Sequence, residues 1–266
     1  MADLHSQTPN RWDPQQYQRF SRERSRPFFD LVAQVPDDAV QTVADLGCGP
    51  GNLTQTLLTR WPNATVCGVD NSLPMLEKAR QLASNPKLHF IEGDIATWKP
   101  DAPLDRIVSN AALQWVPGHE KVLQHVVSLL APHGVLAVQM PRNFEEAAHR
   151  LLYELIQQDP WADSLSTWRE RHFVQTPSWY VETLQNLGLT FDVWETIYQH
   201  LLAGEDAVLE WMKGTALRPA LTRLPNEQHE PFLDAYKEVL RTAYPRGPHG
   251  TLFPFRRLFF VARVSE

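Results

Sequence analysis

The chain has 266 residues, 43% of them hydrophobic and 21% charged, close to the averages of a globular protein and enough for one large core. Its formal net charge of −6 argues against a broad nucleic-acid or anionic-membrane surface, which needs an excess of Lys and Arg, while leaving room for one small basic pocket. Two cysteines, Cys48 and Cys67, are too few for a disulfide scaffold, and no apolar run approaches the roughly 18 residues of a membrane span, so a reduced, cytoplasmic, single-domain protein is expected.

Met1 to Arg11 is polar, lacks the apolar core of a signal peptide, and is expected to be a disordered leader. Residues 14–24 and 27–35 read as two short helices, with Ser25 as the N-cap of the second and Pro27 in its first turn. Strands near 41–46, 64–70, 87–92, 103–109 and 134–140 then alternate with helices near 51–60, 74–84, 118–130 and 144–158. That alternation predicts an α/β fold of the doubly covered type, a mostly parallel sheet with helices on both faces.

Beyond residue 160 the regularity weakens around Trp161, Trp168, Pro177 and Trp179. A helix near 177–187 leads into the alternating segment Phe191 to Tyr198, and Arg257 to Arg263 closes the chain; both read as strands and bring the sheet to seven. Helices near 205–214 and 226–243 fall between these two strands and predict a helical cap over 204–254. The expected organisation is therefore amino-terminal helices over the site at 12–35, a core at 40–142, further helices and the sixth strand at 143–203, the cap, and a final strand at 255–264.

The strongest motif is Val43-Ala44-Asp45-Leu46-Gly47-Cys48-Gly49-Pro50-Gly51, at the end of the first predicted strand. Glycines there let the backbone turn tightly and approach a ligand. A dinucleotide loop, G-x-G-x-x-G, would need glycine where Asn52 stands, and the Gly-Lys-Ser/Thr ending of a phosphate-binding loop is absent. The spacing is G-x-G-x-G, preceded by Asp45, an acid suited to the cationic amino-acid end of S-adenosylmethionine rather than to a pyrophosphate. Asp70 ends the next strand, where a carboxylate can accept both ribose hydroxyl protons. Asp94 follows the third, placed for an adenine amino group, with Ile95 packing on the ring; Asn71 and Asn110 complete the candidate cofactor set. Any one such acid alone is as well explained by a helix N-cap, but three at successive strand ends beside the glycine loop point to one ligand. Cys48 reads as a small space-filler.

On these segments the chain resembles the class I methyltransferases and, within them, the trans-aconitate methyltransferase family. The narrower likeness is carried by Trp12 to Pro27, Asn110 to Pro117, Gly134 to Pro141, Ala216 to Pro219 and Arg257 to Arg263. The resemblance implies transfer of a methyl group from S-adenosylmethionine to a carboxylate of trans-aconitate or a closely related tricarboxylic acid, giving a methyl ester. The nearest rival is the related malonyl-carrier-protein methyltransferase, whose partner would favour an exposed basic docking patch. A nucleic-acid amino-methyltransferase would carry Asn/Asp-Pro-Pro-aromatic after the fourth strand, where this chain has Asn110-Ala111-Ala112-Leu113. A non-catalytic module that binds the cofactor and recruits a protein through the cap is the reading from another class.

A carboxylate of pKa about 4 is ionised at neutral pH and needs no general base, so no catalytic residue is expected beyond those that position the reactants. The substrate's other carboxylates call for bidentate arginines. Candidates are Arg218 first, then Arg24, Arg26, Arg256 and Arg257, with Tyr17, Gln114 and Tyr198 as neutral partners and Trp115 as a wall. No His/Cys/Asp cluster has metal spacing. Neither a nucleic-acid, a membrane nor an obligatory protein partner is expected.

Overall fold

The computed structural model of the protein describes residues 20–166, 168 and 173–264, and these divide into two compact units. Tyr17 and residues 14–19 of the first expected helix lie outside the described residues.

One unit comprises Arg24–Asn143, Arg171–Tyr198 and Phe255–Glu266. The strands of the chain are β1 (Thr42–Leu46), β2 (Thr65–Asp70), β3 (Leu88–Glu92), β4 (Leu104–Asn110), β5 (Leu130–Pro141), β6 (Leu189–Leu202) and β8 (Gly250–Val264), in the order β3-β2-β1-β4-β5-β8-β6, and this unit holds β1 to β5 with β6 up to Tyr198 and β8 from Phe255. The first five strands pair in parallel, and β8 runs antiparallel to β5. A two-residue β7 (Arg246–Gly247) pairs with β8 as an eighth strand.

The parallel strands are apolar on both sides because helices cover both faces. On one face Val43, Val66, Val108, Val135, Ala137 and Phe259 pack with Phe28, Leu31 and Val32 of α1 (Ser21–Ala33), with Leu57 of α2 (Leu57–Arg60) and with Leu76 and Ala79 of α3 (Leu73–Gln81). On the other, Ala44, Ile107, Leu136, Val138 and Phe260 meet Val122, Leu123 and Val126 of α4 (His119–Ser128) and Tyr180 and Leu184 of the 177–186 helix. Pro177 opens that helix at a position needing no N–H donor, and the Thr176 hydroxyl accepts from the Trp179 N–H at 3.2 Å.

The amino-terminal expectation is corrected here. Ser25 is not an N-cap and Pro27 does not open a second helix: one helix, α1, runs through both. Proline removes the bond to the Glu23 carbonyl, but Pro27, Phe28, Leu31 and Val32 form a continuous buried stripe at helical spacing, and that burial outweighs one lost hydrogen bond.

The other unit comprises Met1–Glu23, Phe144–Glu170 and Gln199–Pro254. It holds α5 (Ala147–Leu155), α6 (Ala162–Leu165), then, after the 177–186 helix α7 (Pro177–Asn186) of the sheet unit, α8 (Ala207–Lys213), α9 (Leu217–Leu221) and α10 (Asn226–Ala243). Here α10 is fastened to the start of α5: the Tyr236 hydroxyl donates to the Ala148 carbonyl at 2.7 Å, and the Ala148 N–H donates to the Tyr244 hydroxyl at 3.0 Å. Trp211 of α8 is fully buried against Phe20, His200 and Phe253. Among the described residues no helix is long and apolar enough to cross a membrane.

Phe259 is fully buried on β8 and stacks on Trp194 of β6 with centroids 5.1 Å apart. Phe259→Ala should therefore destabilise the protein by about 3–5 kcal/mol in urea unfolding. A cost below about 1 kcal/mol would mean that the two strands are not packed as described.

Candidate active site

In the sheet order, β1 has β2 on one side and β4 on the other, so the chain reverses its direction of travel across the sheet between them. Connections leaving these two strands diverge and open a crevice at their carboxyl ends, the usual ligand position in an open α/β sheet. The glycine loop follows β1 into that crevice. The N–H groups of Gly47 and Cys48 donate to the Val69 carbonyl at 2.8 and 3.1 Å, and the Gly49 N–H donates to Asp70 Oδ2 at 2.8 Å. Gly47 has φ +80°, and a Cβ there would lie 2.2 Å from Ala112 Cβ, so only glycine lets the loop pass the segment after β4. Gly51, at φ +78°, is similarly closed by the Phe90 ring at 2.7 Å.

Asp45 is buried at the end of β1, where its Oδ2 accepts from the Thr54 hydroxyl at 2.6 Å. Burial raises its pKa to about 6; the Thr54 bond opposes the shift and the nearby Asp70 charge adds to it. Asp70 has one protein donor on each oxygen, Gly49 N–H on Oδ2 and Ser72 N–H on Oδ1 at 2.9 Å. An ionised carboxylate has about four acceptor positions, so capacity for ligand hydroxyls remains. Asn71 beside it is exposed. Asp94 is exposed, with Oδ1 accepting from the Ala96 N–H at 2.8 Å, and the buried Ile95 side chain borders Gly47. Asn110, at the end of β4, presents a buried Oδ1 with no partner among the described residues.

The segment after β4 is held from below. Ala111 takes φ +53°, and the buried Gln114 donates through Nε2 to the Ala111 carbonyl at 2.7 Å, its Oε1 having no partner among the described residues. Trp115 is 54% exposed, so it is not a core residue. His119 lies 2.9 Å from the Leu113 carbonyl through Nε2 and 2.6 Å from the Tyr180 hydroxyl through Nδ1. A carbonyl can only accept, so Nε2 carries the proton and Nδ1 accepts from Tyr180; burial lowers the ring's pKa and keeps it neutral. This histidine braces the loop.

Further along the same face, Tyr198 of β6 donates its hydroxyl to Asp30 Oδ2 at 2.7 Å, and the Arg26 guanidinium stands 5.1 Å over its ring and 3.5 Å from Asp30. Arg257 of β8, 5% exposed, lies 4.5 Å over Phe255 and 6.0 Å from the Tyr198 ring, and donates through Nη1 to Gln139 Oε1 at 3.4 Å. Arg256 points elsewhere, to Glu195 at 3.4 Å, which Arg142 also pairs at 2.9 Å. Arg24 is half-buried on α1. Arg218 is half-buried on α9 of the helical unit, with no ion-pair partner among the described residues.

The structure thus gathers the expected cofactor residues along the carboxyl ends of β1 to β4, and places Arg26, Arg257 and Tyr198 together. Sequence reasoning missed Thr54, Asp30 and Gln139. Only Gln139 left a local signal, a lone amide within the apolar run Val135 to Met140.

A methyltransferase-domain family model matches residues 43–134. The trans-aconitate 2-methyltransferase of Streptomyces avermitilis is 51% identical over 259 residues, covering 94% of this chain and 96% of that one. The Streptomyces coelicolor protein of the same name is 49% identical over 264 residues, covering 96% and 87%. Among solved structures, Haemonchus contortus phosphoethanolamine N-methyltransferase 2 has the same fold at a TM-score of 0.55 and 14% identity, covering 91% of this chain and 53% of that one. Fold and crevice define a Rossmann-like methyltransferase. With relatives near half identity over almost the whole of both chains, this chain belongs to the trans-aconitate 2-methyltransferase family.

The Asp45 shift fixes a pH dependence. A carboxyl group whose folded pKa, about 6, exceeds its ordinary value of 3.8 is held more tightly as the acid in the folded protein. Its stability contribution is complete below about pH 4 and is lost as pH rises through 6. Without ligand, the wild type should gain about 2–3 kcal/mol relative to Asp45→Asn on going from pH 7.5 to pH 4. A constant difference between the two urea-unfolding curves would place Asp45 in contact with water.

Proposed function

We propose that this chain is an S-adenosylmethionine-dependent O-methyltransferase that esterifies a carboxylate of trans-aconitate. The observation that carries the reading is one sheet edge with two electrostatic halves. Two acids, the buried Asp45 and the half-buried Asp70, lie under the glycine loop, and the guanidinium groups of Arg257 and Arg26 lie three and four strands along. The identity with trans-aconitate 2-methyltransferases agrees with it.

The residues present fit the cofactor. Asp70 has acceptor capacity left for the ribose hydroxyls, the glycine loop leaves no Cβ between its backbone and a ligand, and the unpartnered Asn110 Oδ1 suits the ammonium group of the methionine moiety, as does the charge of Asp45. Asp94 and Ile95 would take the adenine. When bound, S-adenosylmethionine supplies a methyl group on a sulfonium, an electrophile that a carboxylate attacks without first losing a proton.

The protein's own work is then to orient and to dehydrate. Arg257 and Arg26 hold carboxylates, Gln114 has a second amide N–H to add as a neutral donor, the Tyr198 ring backs Arg26 while its hydroxyl is engaged by Asp30, and exposed Trp115 is proposed as a wall. Arg24 is proposed as a further carboxylate ligand, whereas Arg256 is engaged by Glu195. Orientation alone accounts for up to roughly 7–11 kcal/mol in favourable cases, and excluding water strengthens each charged contact. No histidine is needed as a base, consistent with His119 being occupied on both nitrogens.

Methyl transfer should be assayed against a panel of di- and tricarboxylic acids with wild type and Arg257→Lys. Lysine keeps the charge but loses the planar fork, so the apparent KM for trans-aconitate should rise several-fold with cofactor affinity nearly unchanged. Equal losses on a monocarboxylic analogue would assign Arg257 to the fold of its unit. On the cofactor side, Asp70→Ala should weaken S-adenosylmethionine binding by about 1.5–3 kcal/mol in calorimetry. Unchanged affinity in a folded variant would remove Asp70 from the site.

A further inference from the structure

We infer that Gln139 sets the specificity of this site for a carboxylate, by presenting a buried neutral donor that a carboxylate accepts and a carboxamide nitrogen cannot. The inference rests on the activity proposed above and names a residue that reading does not require.

Gln139 is fully buried within β5, on the face that carries Val135 and Ala137. An amide there gains nothing from packing that methionine or leucine would not supply, so its polarity must answer to something. Its orientation is fixed by chemistry. Arg257 Nη1 donates to the side chain at 3.4 Å, and a guanidinium can only donate, so the amide oxygen faces Arg257 and Nε2 faces away. Nε2 has no partner among the described residues, although the atom is buried.

The backbone holding this donor is equally fixed. Asn110 is the register partner of Gln139 on the neighbouring strand, and the Ala111 N–H donates to the Gln139 carbonyl at 2.9 Å. Two unpartnered buried atoms of opposite kind therefore stand on adjacent strands at one sheet edge, an acceptor on Asn110 and a donor on Gln139. The acceptor lies toward Asp45 on β1 and suits a cation. The donor lies toward Arg257, Tyr198, Arg26 and Asp30 and suits an anion. A substrate carboxylate between them has one oxygen for the amide and one for the guanidinium.

The test uses Gln139→Met, which keeps volume and loses both polar atoms, and Gln139→Glu, which keeps the contact to Arg257 and turns the donor into an anion. With trans-aconitate, Gln139→Met should raise KM at least tenfold and Gln139→Glu more, with the dissociation constant for S-adenosylmethionine within twofold of wild type. The Glu variant should also narrow the wild-type preference for the acid over its monoamide, because a carboxylate accepts from the amide's N–H. In wild type labelled with glutamine carrying nitrogen-15 in the side chain, the Gln139 amide resonance should shift on adding trans-aconitate; this holds the inference to account even if a variant fails to fold. An unmoved resonance, an unchanged KM, or cofactor affinity falling in step with substrate affinity would overturn it. A wild-type protein that methylates no polycarboxylate would overturn the proposed activity itself, whereas active wild type with indifferent variants would overturn the role of Gln139 alone.

Discussion

The bond from the Gly49 N–H to Asp70 Oδ2 holds the rest of the site in place. It is charge-assisted, joins the glycine loop to the tip of β2, and acts together with the Val69 carbonyl, which accepts from Gly47 and Cys48. Three successive loop N–H groups are thereby satisfied by one strand end, so the loop needs no ligand to keep its shape. A loop curled in this way must bring Gly47 against Ala112, which is possible only without a Cβ. The glycine spacing and the strand-end acid are thus two parts of one device.

That device sets up an electrostatic conflict which a cation resolves. Asp45 is buried and feels the charge of Asp70, so its ionised form is costly. Thr54 offsets part of the cost through one short hydrogen bond. A bound ammonium or sulfonium would favour the ionised form of Asp45, and the free energy of that change would appear as ligand affinity. The burial that destabilises the empty carboxylate therefore strengthens its response to a cation.

The order of helices and strands was legible because parallel strands covered on both faces are apolar runs, and such runs stand out between amphipathic helices. Strand lengths were less legible. In β5 the stretch Ala131-Pro132-His133-Gly134 has the composition of a turn and yet belongs to the strand, and Pro254 hides the first part of β8. Pro27 misled in the same way, because a local breaker was overruled by a buried stripe. The placement of Asp45, Asp70 and Asp94 along one sheet edge was legible since each is marked by its strand end, a local feature. Gln139 with Arg257 is separated by 118 residues and Tyr198 with Asp30 by 168. No spacing rule connects such pairs, and only the strand order brings them together. Arg256 and Arg257 are neighbours in sequence, but alternation along β8 sends one to Glu195 and the other to the buried row.

The same alternation separates two kinds of arginine surroundings on a chain of net charge −6. Arginines that meet carboxylates have much of their field cancelled: Arg142 and Arg256 share Glu195, and Arg106 meets Asp38. The Gln139 amide meets the Arg257 guanidinium through a neutral oxygen, a contact that orients the group and brings no negative charge of its own. A glutamate at that place would hold Arg257 more firmly and cancel much of its charge. In a buried row the choice between amide and carboxylate thus acts directly on the local potential, whereas the overall charge of the protein is screened over roughly 8 Å at physiological salt. The potential beside Arg257 is therefore set by what its immediate neighbours are as much as by how many arginines stand near it.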